Sequence, residues 1–444
     1  MPVEPATLEQ PTAASFSSTL MRGDRTLWGI YLALIVISIV EMYSASSMLT
    51  YKAASFSDPV FRHIRHLLLG MVFIVFFQNA SLVAIRQWGN LLYWGGLLLL
   101  LLLPFLGTQM KGAYRDVFGI QPVEPVKLGT MLLLCELLTV GNVVIQHFHS
   151  WFRIKTERQR YWLLLLVVGV VGIPIAAQNL SSGLIIAFAS LALMYLGKVR
   201  NLYLVYTILG VLAVALVSCA LLFWQHSYNE QCREKGEEIL RLSFPLHRAH
   251  IWADRLYDGH DAPLWEQDQT GEKAQEIYAH MALANSYPLG RGPGNSRLRD
   301  FLPEAFSDYI YAIIFEEMGF LGALLVLVLY LWLLWRCYQL SRRTEHVYIR
   351  LLMISLPLIM VIQALIHIGV CTGAMFVTGQ PLPLLSRGGS SIIFTSISFG
   401  LMFALSRIIE NEDAQRPLAS ADGRTPARHT VGTRIEGEGV RVGQ

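Results

Sequence analysis

Charge is what this sequence has least of. Asp, Glu, Lys and Arg make up 15% of its 444 residues, against 54% hydrophobic ones, where a water-soluble domain carries roughly 25% charge. That shortage excludes an ordinary soluble globular protein and points to a chain that crosses a membrane many times. Cysteine is scarce as well. Of five cysteines, Cys135, Cys219, Cys337 and Cys371 lie in apolar runs and Cys232 has no loop partner, which excludes a disulfide framework and a cysteine-based metal site. The opening MPVEPATLEQPT lacks the basic and apolar regions of a cleaved signal peptide, so the first membrane span is expected to direct insertion itself. The formal net charge of +3 says little about partners, and no nucleic-acid partner is expected.

Apolar sequence is what the chain has in excess. Runs long enough to span a bilayer occur at 28–47, 63–80, 89–106, 124–144, 161–178, 181–197, 203–224, 308–335, 349–377 and 388–409. They predict an all-α polytopic membrane protein with about ten transmembrane helices and a large exocytoplasmic loop between helices seven and eight. An even number of spans puts both termini on one side. Arg22, Arg25, Arg86, Arg153, Lys155, Lys198, Arg200, Arg336, Arg342, Arg343 and Arg407 gather there, and the positive-inside rule makes that side cytoplasmic. One membrane domain over 23–410 is expected, flanked by disordered cytoplasmic ends at 1–22 and 411–444. The segment 225–307 is too long for a mere connection. Within it, Glu238–Leu256 mixes apolar and basic positions like a helix lying on the outer leaflet, or an amphipathic loop helix packed on the bundle. Gly290, Gly292 and Gly294 imitate a dinucleotide-binding loop, but no strand precedes them and that reading is rejected.

Acids are concentrated where the long loop meets the eighth span, in FLPEAFSDYIYAIIFEEMGF over 301–320. A carboxylate in hydrocarbon is costly unless paired, hydrated or protonated, so these need a partner or a task. Glu316 and Glu317 fall two turns or more into the span; at most one is expected to face the bundle, and pairing with a base or hydroxyl of a neighbouring span is the expected role.

Several motifs occur in a fixed order along the chain. They are Tyr43-Ser44-Ala45-Ser46, Gly112-Ala113-Tyr114-Arg115 with Gln121-Pro122-Val123-Glu124 and Lys127, Gly292-Pro293-Gly294-Asn295-Ser296, Leu302-Pro303-Glu304-Ala305 with Ser307-Asp308, Glu316-Glu317-Met318-Gly319, Gly379-Gln380-Pro381-Leu382-Pro383 and Ser386-Arg387-Gly388-Gly389-Ser390-Ser391. In this arrangement the chain resembles the SEDS family, the multispanning proteins of bacterial cell-wall elongation, division and sporulation that include FtsW and RodA, and it looks most like the division branch. It departs from the usual family pattern at Asp116, Asn179, His367, Phe376 and Arg387.

The resemblance implies a peptidoglycan glycosyltransferase that polymerises lipid II at the outer face of the cytoplasmic membrane, at the division septum, beside a class B penicillin-binding protein and other divisome membrane proteins. Such a reaction needs a base for the acceptor hydroxyl and cationic groups for the departing pyrophosphate. Asp308 is the candidate catalytic base, its pKa expected to rise among Phe306, Tyr309 and Ile310; the rival reading is a helix N-cap. Arg115 and Lys127 are candidates for the pyrophosphate, with snorkelling, or pairing of Lys127 with Glu124, as the alternative. Asp300 and Glu304 would join Asp308 at the mouth if 300–308 is helical or tightly turned. Ser386 and Ser390, on a loop expected to wall the site, would donate to sugar or phosphate, or close a tight turn. Assistance by a divalent cation, magnesium or manganese, stays open. Rival functions are a transporter or flippase for a lipid-linked sugar, a non-catalytic divisome scaffold, and a RodA-like elongation polymerase.

Overall fold

The computed structural model describes residues 21–45, 58–110, 113–139, 156–235, 271–302, 305–375 and 379–421. Within them run eleven α-helices: α1 (Arg25–Ala45), α2 (Asp58–Phe77), α3 (Leu82–Leu106), α4 (Val123–Thr139), α5 (Glu157–Gln178), α6 (Leu180–Leu196), α7 (Asn201–Lys235), α8 (Gly271–Ser286), α9 (Ile310–Ser341), α10 (Val347–Cys371) and α11 (Gly389–Ala421). Ten of them fall one for one on the ten apolar runs; α8 is the addition, lies within the long segment before α9 and packs on it. Seven are long and apolar enough to cross a membrane, whereas α4 and α6 have 17 residues each. The fold is that of an all-α polytopic membrane protein. A short antiparallel hairpin of β1 (Thr108–Met110) and β2 (Ala113–Asp116) joins α3 to α4. The stretch Glu238–Leu256 and residues 1–20 and 422–444 of the two chain ends lie outside the described residues, while α11 stays helical to Ala421, past the expected start of the tail at 411.

Polar residues mark where helices begin. Ser81 and Thr156 accept the amides of Ala84 and Gln159 at the starts of α3 and α5, each satisfying a donor that the helix leaves open. Asn179 alone separates α5 from α6, and its side chain takes the Ser182 amide at 3.3 Å. An asparagine serves there as well as an aspartate would, since both are strong N-caps.

Tight helix pairs form where glycines let backbones meet. A Cβ on Gly129 of α4 would lie 2.4 Å from the Tyr93 nitrogen of α3, and one on Gly96 of α3 would lie 2.5 Å from Val126. Because lipid offers no hydrophobic drive between helices, such close van der Waals contact is what holds them. Gly129→Val should therefore force α3 and α4 apart and cost at least about 1–3 kcal/mol, read as a lowered melting temperature in detergent.

At the end of the bundle where α1 starts, Asp24 ties three helices together. Its amide donates to Ser406 of α11, its carboxylate accepts the Leu27 amide, and it pairs with Arg336 of α9 at 2.5 Å. Burial alone pushes the Asp24 carboxyl up; the Arg336 guanidinium and the Leu27 amide outweigh it and leave the group below its ordinary range. Above this tie, Trp28 stacks on Phe403 with ring centres 4.2 Å apart, and Tyr31 meets Phe399 at 5.0 Å. The opposite end, where α4, α9 and α11 begin and α10 ends, carries the functional candidates.

Candidate active site

The segment Pro288–Arg299 folds back onto α9. Gly290, Gly292 and Gly294 all have positive φ, from 76° to 89°, and the turns they allow aim successive amides at the two glutamates. Gly294 and Ser296 donate to Glu317 at 2.7 and 3.2 Å, and Arg297 and Leu298 donate to Glu316 at 2.9 and 3.4 Å. The Ser296 hydroxyl adds a bond to Glu316, and the Ser44 hydroxyl of α1 adds one to Glu317. Arg291 lies 3.6 Å from Glu316 and Arg299 4.0 Å from Glu317. Glycine-rich backbone of this kind often cradles a phosphate; here it cradles carboxylates of its own chain.

Both glutamates are buried, at 0% and 1% exposure, which corrects the expectation that only one could face inward. The reason is that α9 is not surrounded by lipid at this depth. Its backbone breaks at Gly319, whose φ is 68°, and the folded-back segment crosses there so closely that a Cβ on Gly319 would sit 2.5 Å from Leu289. Adjacent side chains on the helix thus both meet protein.

Lys127 is buried among partners. Its Nζ lies 2.9 Å from Glu124 Oε1 and 2.9 Å from Gln363 Oε1 of α10. Gln363 in turn donates to the Pro381 carbonyl at 2.7 Å, so the lysine charge is neutralised locally and anchors the loop between α10 and α11. Removing one member leaves a buried charge without its counterpart. Lys127→Ala and Glu124→Ala should each destabilise by about 3–5 kcal/mol, and the double variant by less than their sum, in a denaturation cycle.

That loop, 379–388, is fixed from several helices. Gln380 donates to Ser182 of α6 at 2.7 Å, and its carbonyl accepts Nδ1 of His367 at 2.7 Å. Ser386 accepts the Leu382 amide and donates to the Ser307 carbonyl, both at 2.7 Å. Ser390, in the first turn of α11, accepts the Gln121 amide at 3.4 Å. The two serines offered above as ligand donors hold backbone in this structure. The Arg387 amide donates to the Phe306 carbonyl at 2.9 Å and its guanidinium covers the Phe306 ring at 5.2 Å.

Asp308 follows directly on the gripped residues Phe306 and Ser307. It is half-buried, and its carbonyl faces the Cys371 thiol of α10 at 3.8 Å. The helix begins after it: Tyr309 holds the cap position, with no side-chain capping bond. Asp300 is exposed, 3.9 Å from Arg299. Residues 300–302 and 305–308 are turned rather than helical, and Glu304 lies outside the described residues. Arg115 is on β2, at the same end of the bundle, with its side chain outside the described residues. Among the described residues, no three acidic, histidine or cysteine side chains gather as a metal ion would need.

The model of the cell cycle protein family of FtsW, RodA and SpoVE matches residues 24–411. The chain belongs to this family. Stage V sporulation protein E of Bacillus subtilis is 29% identical over 388 residues, covering 85% of this chain and 95% of that protein. A probable peptidoglycan glycosyltransferase FtsW of Coxiella burnetii is 27% identical, covering 86% and 96%. Among solved structures, a chain of a peptidoglycan synthase complex that coordinates polymerization and crosslinking superimposes with a TM-score of 0.63 at 23% identity, covering 87% of this chain and 98% of that one.

Against the family pattern, three of the departures gain a place: Asn179 caps α6, His367 holds the Gln380 carbonyl, and Arg387 covers the Phe306 ring. Sequence reasoning quoted Ser44, Gly294 and Ser296 as parts of motifs without giving them a task; they are the partners of Glu316 and Glu317. It missed Gln363 and Arg299 altogether. Nothing in the spacing could have found Gln363, which lies 236 residues from the lysine it meets.

Proposed function

We propose that this protein is a peptidoglycan glycosyltransferase that polymerises lipid II at the outer face of the cytoplasmic membrane. The observation that carries the proposal is Asp308: an acid directly before a membrane helix, held through its two preceding carbonyls by a loop that three other helices fix. Asp308 takes the proton of the acceptor hydroxyl as its oxygen attacks the anomeric carbon of the donor. The bond from that carbon to the pyrophosphate breaks, and the configuration inverts. Arg115 is the candidate to stabilise the leaving undecaprenyl pyrophosphate. Lys127, paired with Glu124 and Gln363, supports the wall of the site more than it supplies net charge. The relatives named as glycosyltransferases support this reading.

The termini lie in the cytoplasm, the partner is a class B transpeptidase, and the site of action is the septum. Purified protein with its partner, given labelled lipid II in vesicles, should form glycan chains; lipid II crossing the bilayer with no chain formed would favour transport instead. Depletion in the host should give filaments, whereas rounded cells would assign the protein to elongation.

A further inference from the structure

The turn that carries Ser386 and Arg387 is held from a second side by residues with no part in the proposed reaction. Ser38 of α1 is fully buried, its Oγ 2.7 Å from the Leu384 carbonyl and 2.7 Å from Nε2 of His63 on α2. Proton counting settles the directions. A carbonyl only accepts, so the single hydroxyl proton of Ser38 goes to Leu384, and Nε2 of His63 must carry the hydrogen that the serine oxygen receives. His63 is itself buried, at 1% exposure, and its Nδ1 has no hydrogen-bond partner among the described residues. The ring spends one nitrogen on this relay and leaves the other unsatisfied.

The residue at the end of the relay is strained. Leu384 has φ of +66°, a left-handed conformation that a leucine rarely adopts and that persists only where the surroundings enforce it. The Tyr330 hydroxyl holds the neighbouring Pro383 carbonyl. Beyond Leu384 the chain reaches the other way, Ser386 to the Ser307 carbonyl and the Arg387 amide to the Phe306 carbonyl. A strained turn is thus pinned on one side by His63 and Ser38, and on the other it grips the two residues before Asp308.

We propose that His63 and Ser38 are positioning residues for Asp308, acting through the enforced conformation at Leu384 to set where the carboxylate meets the acceptor hydroxyl. The inference rests on Asp308 being the general base. Space-filling would not need a donor hydrogen, a one-way relay or a leucine in the left-handed region. Together the three fix where the turn sits, and a displacement of about 1 Å at a reacting group costs about a hundredfold in rate.

The test uses the full chain with its partner transpeptidase and labelled lipid II. Ser38→Ala removes the link with a minimal change of volume, His63→Leu keeps bulk without a donor, and His63→Gln restores an N–H near the Nε2 position. Ser38→Ala and His63→Leu should lower kcat by about 10–100-fold and leave KM within about twofold, with His63→Gln recovering most of the loss. Deuterium should enter the Arg387 amide faster in the first two variants and at the parental rate in the third. Parental kcat in Ser38→Ala and His63→Leu, or failure of His63→Gln to rescue, overturns the proposal even while Asp308→Asn is inactive. Parental turnover in Asp308→Asn removes the base assignment itself and this inference with it.

Discussion

Asparagine at position 308 should stop glycan chain growth while the protein still folds and still binds lipid II. A positioned base contributes about 10²–10⁴-fold to a proton-transfer step, and a neutral amide cannot take the proton. Folding should be spared because asparagine keeps the size and shape of the aspartate side chain, and α9 starts at Ile310 with Tyr309 at its cap. Asp308→Glu moves the carboxylate outward by one methylene and should retain a small part of the activity, since geometry as well as basicity is being tested. Chain length and turnover from labelled lipid II, beside a melting curve, separate the two effects. Parental polymerisation by the asparagine variant, with an unchanged melting curve, would falsify the assignment.

Glu317→Ala should be among the most destabilising changes in the molecule. It removes the acceptor for the Gly294 and Ser296 amides and the Ser44 hydroxyl, and a buried carboxylate 4.0 Å from Arg299. Losing one side of a buried charged network costs about 3–5 kcal/mol, because the remaining donors stay buried and unpaired. Glu317→Gln is the instructive comparison. It keeps the shape, yet its amide nitrogen cannot accept from either backbone amide, so at least one bond is lost whichever way the group turns. We expect an intermediate loss of stability, together with faster amide exchange over Gly294–Leu298. An alanine variant that melts with the parent would show that the folded-back segment is held by something other than α9.

How much of this was legible beforehand depends on range. The helices were readable because a bilayer imposes length and apolarity on each span separately, so every apolar run could be judged on its own residues. The burial of Glu316 and Glu317 was half readable: their cost in hydrocarbon demanded partners, but the partners come from a segment about 20 residues earlier in the chain and from α1. The serines at 386 and 390 were expected on one loop; Ser386 lies on it and Ser390 in the first turn of α11, and their partners, Ser307 and Gln121, are set by tertiary packing that no spacing encodes. The relay from His63 through Ser38 to Leu384 joins α1, α2 and the loop before α11; Ser38 and His63 alone read as unremarked members of apolar runs.

The tie at Asp24 also bears on how the chain is made. Asp24 meets Ser406 across 382 residues, and Trp28 stacks on Phe403, so α1 has as a neighbour the last helix of the described residues, made long after it. Until α11 enters the membrane, that face of α1 has only lipid or a borrowed protein against it, and the bundle cannot close. A ribosome that stops before α11 is made releases a chain in which that face of α1 is still open, which gives the cell's quality-control machinery a sign of incompleteness.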